Sequence, residues 1–126
     1  MSQLSAVKQS PVVLVVEDEP LILLATADDL RDAGFTVFEA ANADQAIALL
    51  ETHHEIRILF TDVDMPGSMD GLKLSAAVRD RWPPITILVT SGKTLVGRPD
   101  LPEGGRFMPK PYNTTRVVDA IYEMID

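Results

Sequence analysis

"LFTDVDMPG", residues 59–67, is the stretch on which the reading of this chain turns. An apolar run over residues 56–60, broken only by Arg57, leads into two carboxylates, Asp62 and Asp64, and then at once into a Met-Pro-Gly turn. An apolar run without strict alternation suits a strand buried on both faces. Such a strand, ending in acids, delivers them to the rim of a sheet. Open α/β sheets bind their ligands there, beyond the carboxyl ends of the strands.

Working outward, strand and helix patterns alternate. "VVLVV" (12–16) is an unbroken β-branched run and reads as a first buried strand. Pro20 suits the first turn of a helix, and "LILLATADDLRDA" continues it to a stop at Gly34. "FTVFEA" (35–40) is a second strand. Asn42, with Gln45 three residues on, opens "ADQAIALLETHH" as a helix closed by His53 and His54, where a cation favours the dipole. "IRILF" (56–60) is the third strand. Leu74, Ala77, Val78 and Trp82 fall at helical spacing over residues 70–82, and Pro83 and Pro84 end that helix. "ITILVT" (85–90) and "RFMPK" (106–110) complete five strands. Asn113 caps a last helix with Val118, Ile121 and Ile125 on one face.

Between strands four and five the pattern breaks. "KTLVGRPDLPEGG" (93–105) holds three glycines and two prolines. Inside a helix Pro costs about 3 kcal/mol and Gly about 1 kcal/mol, so a loop or a single turn is expected there. Alternating strands and helices predict a doubly wound parallel sheet with right-handed crossovers. Five strands suit the flavodoxin-like order 2-1-3-4-5, here with a shortened or missing fourth helix.

Composition narrows the function. The chain has 126 residues, 46% of them hydrophobic, within the range of a single globular domain. With no cysteine, disulfides, thiolate metal sites and thiol catalysis are excluded. A net charge of -8 argues against direct nucleic-acid binding and against an anionic membrane surface. No apolar run approaches the roughly 20 residues of a membrane span, and the first ten residues lack the apolar core of a signal peptide. They read as a flexible tail (1–10) before one domain (11–126) with no output domain attached, and the expected localisation is cytoplasmic.

The strand ends carry the chemistry. Strand one ends in Glu17, Asp18 and Glu19, strand three in Asp62 and Asp64, strand four in Thr90 and Ser91, and strand five in Lys110. Adjacent strands lie about 4.8 Å apart, so carboxylates closing strands one and three can share a cation. An all-oxygen donor set without His or Cys points to a hard ion, foremost Mg²⁺. With Mg²⁺ and a lysine nearby, a carboxylate can attack phosphorus and form an aspartyl phosphate. Asp62, on the middle strand, is the central candidate. Thr90 can hydrogen-bond one phosphoryl oxygen and Lys110 can pair with another.

Four pieces together, "VLVVEDEP", "LFTDVDMPG", "ILVTSG" and "FMPKPY", resemble the receiver domain of two-component response regulators, in that family's order. The resemblance covers residues 11–126 and is of the stand-alone, single-domain type. It implies a phosphoacceptor switch rather than a metabolic enzyme, one that promotes only its own phosphorylation and dephosphorylation. Asp62 would take phosphate from a histidine kinase or a histidine phosphotransfer protein and signal to a downstream protein. Mg²⁺ would be held directly by Asp18, Asp62 and the backbone carbonyl of Asp64, and by Glu17 through water. Thr90 and Phe107 would move on phosphorylation, shifting the surface around strand five and the loop after strand four, and the Lys110–Pro111 bond would be cis. The weak helical pattern over 93–105 departs from the family, whose fourth helix commonly contributes to output and dimerisation, so dimerisation stays open.

Two other readings share these residues. "ILFTDVDMPG" also resembles the first motif of haloacid-dehalogenase-type phosphatases, with Asp62 as nucleophile and Asp64 as general acid. That motif normally opens its domain, whereas here another acid-tipped strand precedes it. A pseudo-receiver, a binding module that takes no phosphate, is the third reading. The full set of Asp18, Asp62, Thr90 and Lys110 speaks against it. Trp82 reads as packing, and Asp28, Asp29 and Asp32 as a solvated helix face.

Overall fold

A computed structural model describes residues 10–125. The tail expected over 1–10 therefore lies, apart from Ser10, outside the described residues. Five parallel strands form one sheet: β1 (Val12–Val16), β2 (Thr36–Ala40), β3 (Ile58–Asp62), β4 (Thr86–Ser91) and β5 (Arg106–Pro109). Their order is β2-β1-β3-β4-β5, as predicted. The helices are α1 (Pro20–Asp32), α2 (Ala43–Thr52), α3 (Gly71–Arg81) and α4 (Thr114–Ile125).

Apolar residues on the two sheet faces build two cores. On one face Leu14, Val16, Leu59 and Val89 meet α2 through Ala46 and Leu50 and α3 through Leu74 and Val78. On the other, Val13, Val15, Phe60 and Leu88 meet α1 through Ala27 and Leu30 and α4 through Val117, Ala120 and Ile121. All five residues of β3 are buried, which is why its sequence lacks alternation. The Asn42 and Asp70 side chains cap α2 and α3 by accepting from the N–H groups of Gln45 and Lys73.

Several boundaries differ from expectation. β3 runs on to Asp62 and β4 to Ser91, because ladder pairing continues through Asp62↔Thr90. The acceptor candidate is thus the last residue of its strand, not a loop residue. α2 stops at Thr52; His53 is its C-cap and stacks on Phe38 with ring centroids 4.4 Å apart, and His54 lies past the helix. The buried stripe of α4 is Val117, Ala120 and Ile121. Of the predicted stripe only Ile121 is fully buried, while Val118 and Ile125 flank it. Residues 93–105 hold only a 3₁₀ turn, Arg98–Asp100, so the crossover from β4 to β5 lacks the helix that usually makes it.

Candidate functional site

Strand register brings the predicted residues to one mouth. Val16 pairs with Thr61 and Asp62 with Thr90, so Glu17 leaves β1 beside Asp62. Lys110 follows β5 at once, and its N–H donates to the Ser91 carbonyl at 3.1 Å. The Lys110–Pro111 bond is cis. The lysine ammonium then reaches inward, donating to Asp62 Oδ2 at 2.9 Å and Glu17 Oε1 at 3.1 Å. Glu17, Asp18 and Asp62 can each offer a carboxylate oxygen within 4.8 Å of the others.

Asp62 is 3% exposed and Glu17 4%. Burial pushes the Glu17 carboxyl above its ordinary range, and the Asp62 charge adds to this; the Glu19 N–H and Lys110 oppose it only in part. Burial also works against the Lys110 ammonium, but its bonds to Asp62 and Glu17 and their charges outweigh this and hold it above the usual lysine range. Two buried carboxylates, Glu17 and Asp62, share the Lys110 ammonium with Asp18 close by, so the mouth is short of positive charge. A hard divalent cation fits that deficit and that all-oxygen donor set. The cluster of Glu17, Asp18 and Asp62 could hold such a metal.

Thr90 sits across from Asp62 in register with its hydroxyl buried and without a hydrogen-bond partner among the described residues. A buried hydroxyl left unpaired costs roughly 1–3 kcal/mol. An oxygen-rich group on Asp62 is the kind of partner it lacks.

The turn after β3 is held by glycine and by backbone bonds. Gly67 adopts φ +112°, closed to most side chains. The Val63 carbonyl accepts from the N–H groups of both Met65 and Gly71. At Gly71 a Cβ would stand 2.0 Å from the Asp62 carbonyl oxygen, so only glycine lets α3 begin against the acceptor backbone.

The Asp64 side chain is the contribution that sequence reading missed. Its N–H donates to Asp62 Oδ1 at 3.1 Å, but its carboxylate turns away from the acceptor. It accepts from the Ser91 hydroxyl at 2.7 Å, from the Lys93 N–H at 3.3 Å and from the Thr94 hydroxyl. The Thr94 N–H in turn donates to the Ser91 hydroxyl at 2.9 Å. Burial raises the Asp64 pKa, but these bonds prevail and hold it below the ordinary value. Committed in this way, the carboxylate is not placed to act as a general acid beside Asp62, as the phosphatase reading requires. Phe107, in register with Val89, is half-buried against the core of α2 and α3.

The chain belongs to the response regulator receiver domain family, whose model matches residues 13–122. It is a phosphoacceptor signalling switch of the two-component type, and neither the phosphatase nor the pseudo-receiver reading gains support. Among curated relatives it is 33% identical over 122 residues to the sensor kinase CckA of Brucella abortus, matching 93% of this chain and 13% of that protein. It is 31% identical over 112 residues to the nitrogen assimilation regulatory protein NtrX of Azorhizobium caulinodans, matching 84% of this chain and 24% of that protein. The chain thus spans a quarter or less of the length of either. A crystal structure of the receiver domain from the hybrid histidine kinase CckA superposes with a TM-score of 0.76 at 29% identity, covering 91% of this chain and 99% of that one. A receiver protein from Sinorhizobium medicae, at 23% identity, shares the fold with a TM-score of 0.84, covering 93% and 95%. No helix among the described residues is long and apolar enough to cross a membrane.

Proposed function

We propose that Asp62 is the phosphoacceptor and that Mg²⁺ is the metal of the site. One observation carries this reading: a buried Asp62 carboxylate, gripped by Lys110 at 2.9 Å, lies within a three-carboxylate cluster that a single ammonium leaves under-neutralised. Asp18, Asp62 and the Asp64 backbone carbonyl would hold the metal, and Glu17 would do so through water. Bound there, Mg²⁺ supplies charge neutralisation for phosphoryl transfer.

In the transfer, an Asp62 carboxylate oxygen forms a bond to phosphorus while the phosphorus–nitrogen bond of a phosphohistidine breaks and the imidazole leaves. Lys110 pairs with a phosphoryl oxygen, and the unpartnered Thr90 hydroxyl donates to another. Phe107 repacks as Thr90 moves, which alters the surface around β5 and the loop after β4. The chain acts as a switch of this kind over residues 11–126, promoting only its own phosphorylation and dephosphorylation in the cytoplasm, and signals to a downstream protein.

The phosphodonor is a histidine kinase or a histidine phosphotransfer protein. Its docking face is the outer side of α1, where Leu21 is 80% and Leu24 52% exposed. A groove of about 760 Å³ beside them is lined by Leu21, Ile22, Ala25, Pro111 and Tyr112 and runs to Lys110, hence to the acceptor. A helix presenting phosphohistidine can bury apolar side chains there while its phosphorus faces Asp62.

The test is incubation with Mg²⁺ and acetyl phosphate, followed by intact mass. One added phosphate on the native chain and none on Asp62→Asn is expected. Phosphate on both, or on neither with Mg²⁺ bound, overturns the assignment of Asp62 as an acceptor that small donors can load.

A further inference from the structure

The crossover from β4 to β5 leaves a cavity where a helix would otherwise pack. Its volume is about 840 Å³. A helix with its side chains is about 10 Å across, and two turns rise about 11 Å, a volume of roughly 850 Å³. Ile85, Val96, Leu101 and Phe107 supply apolar wall. Leu95, 96% exposed, stands on the same connection.

The charge of this cavity runs against that of the chain. The molecule carries 19 acidic and 11 Lys or Arg residues, yet here Arg79, Arg98 and Arg106 face a single acid, Glu103. Arg79 donates to the carbonyls of Glu103 and Ile85 at 2.9 Å and of Pro83 at 2.5 Å, neutral acceptors that leave its charge uncancelled. Arg98 makes no ion pair among the described residues. Arg106 pairs with Glu123 at 2.7 Å, but both are solvent-exposed, and such pairs contribute little. A basic, partly apolar groove on an acidic domain favours acidic partners over others.

We propose that this groove docks an acidic amphipathic helix of a partner protein. Its apolar side would lie on Val96, Leu101 and Phe107 and its carboxylates against Arg98 and Arg106, in the helix-in-groove manner. The groove borders Thr86 and Arg106, the first residues of β4 and β5, whereas Asp62 pairs with Thr90 near the other end of β4. Arg98 and Arg106 therefore stand away from the acceptor residues. Nucleic acid is the competing polyanion, and the apolar wall and the net charge of -8 disfavour it.

The experiment titrates ¹⁵N-labelled protein with three probes. One is a 14-residue helical peptide with leucines at i, i+3, i+4 and i+7 and glutamates elsewhere. The second replaces those glutamates with lysines, and the third is a single-stranded oligonucleotide. The glutamate peptide is expected to shift the amides of Leu95, Val96, Arg98, Leu101, Arg106 and Phe107. In the Arg98→Glu, Arg106→Glu double variant its affinity should fall about tenfold or more, with preference passing to the lysine peptide. Acetyl phosphate labelling of that variant should be unchanged, which shows that it is folded. Equal binding of both peptides, preference for the oligonucleotide, shifts centred elsewhere, or no shifts at millimolar peptide would overturn the proposal.

Discussion

The Asp64 carboxylate accepts a hydrogen bond from the Ser91 hydroxyl at 2.7 Å, across 27 residues of sequence. Through it, the turn that follows the acceptor is fastened to the end of β4 and, by way of Thr94, to the start of the crossover. Asp64→Ala should release this tie. Amide exchange at Lys93 and Thr94 should quicken about tenfold, the effect of losing a contribution of about 1.4 kcal/mol, while the core strands stay protected. Because the Asp64 pKa is depressed on folding, its contribution is present above the unfolded value near 3.8 and lost as pH falls through the folded one. Protection of these two amides should therefore hold from neutral pH to about 4 and drop below it.

Glu17 behaves in the opposite sense. Its carboxyl is raised on folding, so the protonated form is favoured in the fold, and that favourable contribution fades as pH climbs through the folded pKa. At neutral pH without metal the buried Glu17 carboxyl therefore burdens the structure. Glu17→Gln is expected to raise Tm by a few degrees in the absence of Mg²⁺ and to weaken the further rise that Mg²⁺ brings to the native chain. Calorimetry with and without Mg²⁺ checks both effects, and a variant that gains as much from Mg²⁺ as the native chain would contradict them.

Thr90 carries a buried hydroxyl without a hydrogen-bond partner among the described residues. Thr90→Val keeps the shape and removes the unpaired group, so the unphosphorylated protein should gain about 1 kcal/mol in urea unfolding. The same change should reduce labelling by acetyl phosphate about 10²-fold, the scale of losing one transition-state donor. Unaltered labelling would show that Thr90 makes no contact with the phosphoryl group.

Gly71 allows no side chain, since a Cβ there would meet the Asp62 carbonyl oxygen at 2.0 Å. Gly71→Ala should cost about 1–3 kcal/mol through forced backbone movement. It should also impair Mg²⁺ binding, because the part that must move is the backbone of the acceptor itself. A variant with native stability and native Mg²⁺ affinity would refute this account.

The residues at the strand tips could be read early because two local signals coincide there: a largely apolar run and an abrupt change to acids, hydroxyls or lysine. Glu17, Asp62, Thr90 and Lys110 all fall on that pattern, and topology alone then brings them together. The Asp64 side chain follows no such pattern. Its partners lie 27 to 30 residues away, and an acid two positions past a strand end looks like any solvated loop carboxylate. The α4 stripe was misplaced for a related reason. Apolar residues occur around much of that helix, so only packing against β4 and α1 selects Val117, Ala120 and Ile121 over Val118 and Ile125. Arg79 carries no sequence signal of its own: its carbonyl partners Pro83 and Ile85 lie on the link from α3 to β4, and Glu103 lies 24 residues away on the crossover.

That crossover also bears on how the molecule comes apart. Parallel neighbours need a connection of about a dozen residues or more, usually helical, and a helix forms its own hydrogen bonds before it docks. Residues 92–105 offer β5 no such preformed bridge, and β5 itself is four residues long and pairs only with β4. Closing this loop costs entropy that no local structure repays in advance. Opening of β5 together with α4 is thus expected at a lower free energy than opening of the central strands β1, β3 and β4. Lys110, the ammonium paired with Asp62, would leave the acceptor with it.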